Sequence, residues 1–478
     1  MATLYEDPAR GEPLLITGYS IGFQIVPKDW SFSDPVFLRH FLCFMIVLKG
    51  IFHVILCMRQ LRLIGKSEAP PIQMEGVMSL DEFKHSKEKE FHAVHLEFFN
   101  ICADTVYSCL DLYLCTLAGI WKLTVDWYRF APNSWLNVVF MTLFSTYLVL
   151  RKLPSMFYER MVLDPKYNVN PEQTYPLVGL MCGLAFFVVV IQIAVIPLTA
   201  VLMTLANLEI WFFVGVIWLV VVIISFIIHL ITGIFGVPCL GKSRLLDSLE
   251  MNKYLSLALQ TFKYPGKVYV VQTFYLGRPT AWVMGCCCCL RLDIHDNLML
   301  NRNIEAENLP SQHVGAGLND IQLAAFVAHQ LAHWRLWHVT KSLIMFHLIL
   351  LTYLVIFGSC YRWQLMYTAA GFTHIYPYVV GYWLVYKYLM TPLRTACIWV
   401  VFFLLRHFEY SADSYVWRRG FGGSMKAALL KLFADHRVFP YTDHVYLMWH
   451  HHRPSILQRI SNIQRLEKKG ELGPNSSI

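Results

Sequence analysis

The sequence predicts an α-helical integral membrane protein with about seven transmembrane helices. Hydrophobic residues make up 56% of the 478 residues and charged residues only 15%, against about 25% in a typical soluble chain. The apolar residues are concentrated in runs that approach or exceed the roughly 20 residues needed to cross a bilayer. These runs are Phe37–Met58, Thr105–Trp121, Trp135–Leu150, Leu177–Leu205, Ile210–Ile234, Ser342–Phe357 and Tyr376–Leu405.

The loops between these runs predict the orientation and the lipid environment. The loops after the first and third runs are rich in Lys and Arg, so the positive-inside tendency makes them cytoplasmic and the N-terminal segment lumenal. The net charge of +8 lies largely in such loops, where it suits membrane lipid and not nucleic acid. Pro392 in the last run predicts a kink.

Two soluble parts interrupt and follow the apolar runs. The first contains three strand-like stretches, Lys267–Val271, Ala281–Met284 and Leu290–Ile294, and then a helical pattern that begins near Asp320. The second opens with a helix. The predicted division is a lumenal segment (1–35), transmembrane helices 1–5 (36–240), the first soluble part (241–341), transmembrane helices 6 and 7 (342–405), the second soluble part (406–465) and a disordered tail (466–478).

The strongest local signal is the stretch from His329 to His333, which reads HQLAH. Two histidines at i and i+4 lie on one face of a helix and can bind one metal ion, although such a pair is weak evidence alone because histidines recur by chance. Glu409 on a second predicted helix offers a third ligand, and Asp413 lies one turn later. A His-His-Glu set that leaves a fourth position for water predicts Zn²⁺ as the cofactor, with Asp413 orienting a ligand histidine.

These motifs resemble those of the type I CAAX prenyl proteases, multi-span zinc metalloproteases that cut after a prenylated cysteine near a protein's C-terminus. Their HELGHWxxxH motif is matched by HQLAHWRLWH at 329–338, and their FExxAD motif by FEYSAD at 408–413. Similarity also extends along nearly the whole chain, from Arg59-Gln60 to Pro454.

The resemblance implies a fold and a set of partners. About seven transmembrane helices would surround a water-filled chamber, capped by a mostly helical zincin-type metalloprotease domain that contains a small β-sheet. The zinc ligands would be His329, His333 and Glu409. The protein would lie in the endoplasmic reticulum membrane, with the inner nuclear membrane as the alternative, and would meet prenylated protein or peptide C-termini. The sequence does not indicate an oligomeric state.

The chain departs from the family pattern at positions that carry the chemistry. Gln330 stands where the family has its general-base Glu, and a neutral amide cannot accept the proton of a zinc-bound water. Arg453 stands where the family has a histidine that stabilises the oxyanion. Thr280-Ala281 replaces an Asn-Ala pair that holds the substrate backbone, and Thr280 offers fewer hydrogen bonds than Asn.

These departures predict a pseudoenzyme that binds prenylated or hydrophobic C-terminal peptides or acts as a scaffold. The alternative is an active zinc metalloendopeptidase that removes the C-terminal tripeptide of prenylated CAAX proteins, with His338 or a nearby carboxylate as a substitute base. A third class, a channel or transporter, rests on charged residues inside the apolar runs, Lys49, Asp111 and Arg394.

The run Cys286–Cys289 has two interpretations. It is either an apolar strand that happens to use cysteine or a palmitoylation site beside the membrane. Four adjacent thiolates cannot all reach one tetrahedral metal ion, because alternate residues of a strand point to opposite faces. The sequence favours the apolar strand.

Overall fold

The computed structural model divides into two compact units, and parts of the chain enter each unit more than once. The structure describes residues 26–127, 133–167, 210–236, 241–247, 251–273, 280–285, 289–299, 317–372, 376–435 and 438–469. The first unit comprises 1–58, 93–219 and 348–397, and the second comprises 59–92, 220–347 and 398–478.

Helices dominate both units. In chain order the α-helices of the described residues are α1 (Pro35–Lys66), α2 (Leu80–Tyr113), α3 (Thr116–Trp127), α4 (Asn133–Tyr158), α5 (Asp164–Lys166), α6 (Ile210–Phe235), α7 (Lys253–Thr261), α8 (Asp320–Arg335), α9 (His338–Cys360), α10 (Gln364–Ala369), α11 (Tyr378–Leu384), α12 (Thr391–Val416), α13 (Gly422–Asp435), α14 (His444–His450) and α15 (Ile456–Lys468). Short π-helical segments lie at Glu159–Leu163, Val385–Leu389 and Trp417–Phe421.

Several helices have the length and composition of membrane spans. Four helical stretches of the described residues are long and apolar enough to cross a bilayer, and two bent helix pairs bring the number to six if each pair is one span. Six of the seven predicted runs correspond to these helices, and the last of them begins two residues before α11. The remaining run, Leu177–Leu205, lies outside the described residues.

The two bent pairs mark places where a predicted run is not one straight helix. The run Thr105–Trp121 divides into α2 and α3, which meet at 62°, and Cys115 at the break has a left-handed φ of 50°. The last run bends by 64° where the π-helical segment Val385–Leu389 meets α12. Pro392 is the second residue of α12, so the predicted kink is confirmed.

Ion pairs neutralise charged side chains inside the first unit. Asp111 is buried, and its carboxylate accepts hydrogen bonds from the Tyr147 hydroxyl at 2.5 Å and the Arg151 guanidinium at 2.8 Å. Asp104 lies 3.3 Å from Arg151 and 3.0 Å from Lys387. Since an unpaired charge in a bilayer is costly, this pairing gives Asp111 a structural role.

A four-stranded sheet lies in the second unit. Its strands are β1 (Gly241–Leu245), β2 (Lys267–Thr273), β3 (Ala281–Met284) and β4 (Arg291–His295), in the order β1-β2-β4-β3. The β2–β4 pair is parallel, and the other two pairs are antiparallel. The sequence predicts β2, β3 and β4 to within two residues but not β1, because GKSRL lacks an apolar alternation.

The core of the second unit fixes the helix that carries the HQLAH stretch. Helix α8 is the helix predicted near Asp320, and a capping box between Asn319 and Gln322 starts it. Its side chains from Leu323 to His329 are all buried, in a cluster with residues of the sheet, α7, α12, α13 and α15. Because the middle of this helix is buried, His329 has little freedom to move.

The C-terminal end of the second unit differs from the predicted tail. Helix α15 begins with a capping box between Ser455 and Gln458 and runs to Lys468. Residues 466–468 are therefore helical, because the capped amphipathic helix continues past the predicted boundary. The rest of the predicted tail, 470–478, lies outside the described residues. Cys286–Cys288 lie outside them too, while Cys289 is half-buried.

Gly285, after β3, provides a test of this packing. Its φ is +84°, and a Cβ there would overlap the carbonyl oxygen of Cys289 and lie 2.8 Å from the Cα of Gly233 in α6. We expect Gly285→Ala to lower the melting temperature by several degrees, since a left-handed non-glycine residue alone costs about 1–3 kcal/mol. Scanning fluorimetry on detergent-purified protein measures this. A Cβ at Gly423 in α13 would have no neighbour within 4 Å, so Gly423→Ala is the control. An equal fall in melting temperature for this variant would contradict the account.

Candidate metal centre

Helices α8 and α12 bring three possible metal ligands together. His329 Nε2 lies 3.1 Å from His333 Nε2 and 3.2 Å from Glu409 Oε2. His333 Nε2 lies 3.8 Å from the other oxygen of Glu409. Ligand atoms of these residues lie within 4.8 Å of one another, and they form the one such group found among the described residues. The structure thus assembles the predicted ligand set from segments 80 residues apart.

The spacing of these atoms fits a tetrahedral metal ion. Zinc–nitrogen and zinc–carboxylate bonds of about 2.0–2.2 Å place neighbouring ligand atoms of a tetrahedron about 3.3–3.6 Å apart. The separations of 3.1, 3.2 and 3.8 Å lie around that value. Two imidazoles and one carboxylate are also the donor set of catalytic zinc sites that keep one position open.

Each ligand histidine has a partner on its other ring nitrogen. His329 Nδ1 lies 3.1 Å from the Asp413 carboxylate, one helical turn after Glu409. His333 Nδ1 lies 3.0 Å from His338 Nδ1. His338 in turn contacts the Ser411 hydroxyl at 3.1 Å and stacks on Phe408. Such contacts fix ring orientation and direct both Nε2 atoms to the same point.

Arg459 from α15 joins the two carboxylates. It donates to both oxygens of Asp413, at 2.9 and 2.6 Å, and lies 3.5 Å from Glu409. Its Nη2 is 3.1 Å from His329 Nε2. Asp413 is completely buried and Glu409 nearly so, so this guanidinium neutralises charges that would otherwise be costly inside the protein.

The two ligand histidines have opposite pKa shifts. Burial, together with the neighbouring His329, lowers the pKa of His333 to about 3. His333 is therefore neutral at pH 7, as a metal ligand must be. Burial and Arg459 act to lower the pKa of His329, but Asp413 and Glu409 outweigh them and raise it. The carboxylates thus increase the basicity of His329 towards a cation.

A cavity of about 310 Å³ opens beside these residues. Gln330, His333 and Glu409 line it together with Arg453, whose Nε lies 3.6 Å from Glu409 and whose side chain is 66% exposed. The predicted substrate residues differ from the lining residues: Thr280 lies just before β3 and Ala281 begins it, whereas the next two residues, Trp282 and Val283, form part of the cavity wall.

Sequence reasoning missed Arg459 and gave His338 a different role. Arg459 lies on α15 in the apolar stripe of Ile456, Ile460 and Ile463, and a lone arginine in such a stripe signals a buried partner. For His338 the sequence suggested a substitute base, whereas both of its ring nitrogens contact neighbouring side chains.

Replacing Arg459 tests the charge cluster. Arg459→Met leaves the buried carboxylates of Asp413 and Glu409 without their cation, which we expect to cost about 3–5 kcal/mol in metal-free protein. Added zinc should restore part of the lost melting temperature by supplying positive charge. Arg465→Met on the exposed face of the same helix is the control. Equal melting temperatures for the two variants in chelator would contradict the account.

Family models and relatives match most of this chain. Residues 60–242 match the family model described as CAAX prenyl protease N-terminal, five membrane helices, and residues 249–467 match peptidase family M48. CAAX prenyl protease 1 homolog of Homo sapiens is 22% identical over 453 residues, 87% of this chain and 93% of the relative. The Arabidopsis thaliana homolog is 22% identical over 445 residues, 91% and 99% of the two chains.

A solved structure supports the fold independently. The crystal structure of S. mikatae Ste24p matches with a TM-score of 0.72 at 18% identity, and the match covers 89% of this chain and 98% of that one. At this low identity, the structural match shows a common fold and nothing further. The two family models together cover most of the chain, including the three metal ligands. The chain belongs to the CAAX prenyl protease family as a multi-pass membrane protein.

Proposed function

We propose that this protein is a zinc-binding, catalytically impaired member of its family, which holds prenylated or hydrophobic C-terminal peptides in the cavity or acts as a scaffold. One observation carries the proposal: three metal ligands converge, while the cavity wall beside them presents Gln330. The endoplasmic reticulum membrane is the proposed location, with the inner nuclear membrane as the alternative.

The proposed impairment follows from the chemistry at residue 330. A zinc ion held by His329, His333 and Glu409 would polarise a peptide carbonyl and acidify a bound water. Hydrolysis also needs a group that accepts the proton of that water and delivers it to the leaving amine. The amide of Gln330 accepts hydrogen bonds but takes no proton at neutral pH, so we expect a loss of about 10²- to 10⁴-fold.

The alternative function, an active zinc metalloendopeptidase, needs another base in the cavity. Glu409 is the one carboxylate among the lining residues that the structure describes, and it is committed to the metal. His338, the substitute base considered from the sequence, contacts His333 and Ser411 through its two nitrogens. These contacts favour an orienting role for His338 over proton transfer.

The proposed ligand class rests on two observations. Relatives that match along nearly their whole length are named CAAX prenyl proteases. The cavity wall carries apolar side chains suited to an isoprenoid or an aliphatic peptide, namely Trp282, Val283, Trp334, Val339, Leu405 and Phe408. The Lys- and Arg-rich loops add a contact with anionic lipid.

Restoring the carboxylate tests the proposal. We expect wild-type protein to release little or no tripeptide from a farnesylated CAAX peptide, and Gln330→Glu to release it at least about 10²-fold faster. Mass spectrometry of the peptide, with zinc and with chelator, measures the reaction.

Gln322→Glu is the matched control, because it places the same new charge on the first turn of the same helix. It should leave activity at the wild-type level. Cleavage by wild type within tenfold of Gln330→Glu, lost in His329→Ala, would contradict the proposed impairment. If both proteins are inert, Arg453 and Thr280 add to the loss, and binding remains as the proposed function.

A further inference from the structure

We propose that the cavity takes the free carboxylate at the end of an already processed prenylated chain, with Arg453 as its anchor. This inference rests on the proposed function and names the form of the C-terminus that the site prefers. Arg453 would act as a specificity residue, because it is not one of the three metal ligands.

The charges on the cavity wall are the first observation. Among the described residues that line the cavity, Glu409 and Arg453 are the side chains with a fixed charge at neutral pH. Glu409 is already shared by His329 at 3.2 Å and Arg459 at 3.5 Å. A divalent metal ion together with Arg453 would exceed the single negative charge of Glu409, so the wall favours an anion.

The position of Arg453 is the second observation. Its Nε lies 3.6 Å from Glu409 Oε1, beside the metal ligands, and its side chain is 66% exposed. The guanidinium therefore pairs with Glu409 but remains accessible to a ligand that enters the cavity. Arginine binds carboxylates with two parallel hydrogen bonds, a geometry that a neutral peptide bond cannot offer.

Gln330 offers a second hydrogen-bond donor to a carboxylate in the cavity. Its amide group can donate a hydrogen bond to a carboxylate oxygen, whereas a glutamate at this position would repel that oxygen. The same residue that removes the general base therefore removes a repulsion against an anionic ligand. Gln330 and Arg453 line one cavity and act in the same direction.

The chemistry of the ligand then distinguishes two forms of a prenylated C-terminus. In an intact CAAX chain the atom that faces the metal belongs to a neutral peptide bond, and the terminal carboxylate lies three residues farther, about 10 Å away when extended. In a processed chain the prenyl-cysteine itself ends in a carboxylate. Only the processed chain places its negative charge between the metal ligands and Arg453 while its isoprenoid stays on the same apolar wall.

Three farnesylated peptides of one sequence test this inference. One ends in the free carboxylate of the farnesyl-cysteine, one in its methyl ester, and one in the intact tripeptide. Binding to zinc-loaded, full-length protein in nanodiscs of zwitterionic lipid is measured by fluorescence anisotropy, and mass spectrometry checks that the intact peptide is not cut. We expect the free acid to bind at least tenfold more tightly than the ester or the intact peptide.

Three variants test whether Arg453 itself sets the preference for the free acid. Arg453→Ala should reduce the preference for the acid over the ester to less than threefold, by weakening binding of the acid more than binding of the ester. Arg465→Ala removes an exposed arginine outside the cavity and should keep the preference. Gln330→Glu should weaken binding of the acid more than binding of the ester.

Each other outcome has a definite meaning. Equal binding of the three peptides would overturn the inference and leave the proposed binding function intact. Loss of the acid preference on adding anionic lipid would overturn it too, because the site would then take a lipid headgroup. Binding of no peptide above empty nanodiscs would instead reject the proposed peptide-binding function itself.

Discussion

The buried ion cluster around Arg459 is the interaction on which the metal centre depends. One guanidinium reaches Asp413 at 2.6 Å and Glu409 at 3.5 Å, and both carboxylates contact His329. Without that cation two negative charges would be buried side by side, which is unfavourable by several kcal/mol. The cluster also links α15 to α12 and α8, so the same interaction that neutralises charge sets the positions of the ligands.

In the proposed function, this arrangement accounts for metal ligands that remain in place beside Gln330. The metal centre joins parts of the chain separated by 80 and 130 residues, and a metal bound across such segments adds its binding energy to folding. The proposed metal would therefore give the ligands and their partners a structural use that is independent of hydrolysis. Gln330 and Arg453 lie on the cavity side of the centre, where the proposals place the change in chemistry and in ligand preference.

Much of this architecture could be predicted from the sequence, because its strongest signals are local. The i, i+4 spacing of His329 and His333, the apolar runs and the proline-linked bend all follow from helix geometry. The contribution of Arg459 could not be predicted in this way, because it depends on which face of α15 packs against α12. Strand β1 is polar in sequence and is held by its pairing with β2, a contact that no local pattern records.

X-ray absorption spectroscopy at the zinc edge of purified wild-type protein tests the central claim most directly. The account predicts about one zinc ion per chain with only nitrogen and oxygen neighbours at about 2.0–2.2 Å, and loss of that signal in His329→Ala. Absence of zinc from protein purified without chelator, or a shell of sulfur neighbours at about 2.3 Å, would contradict it.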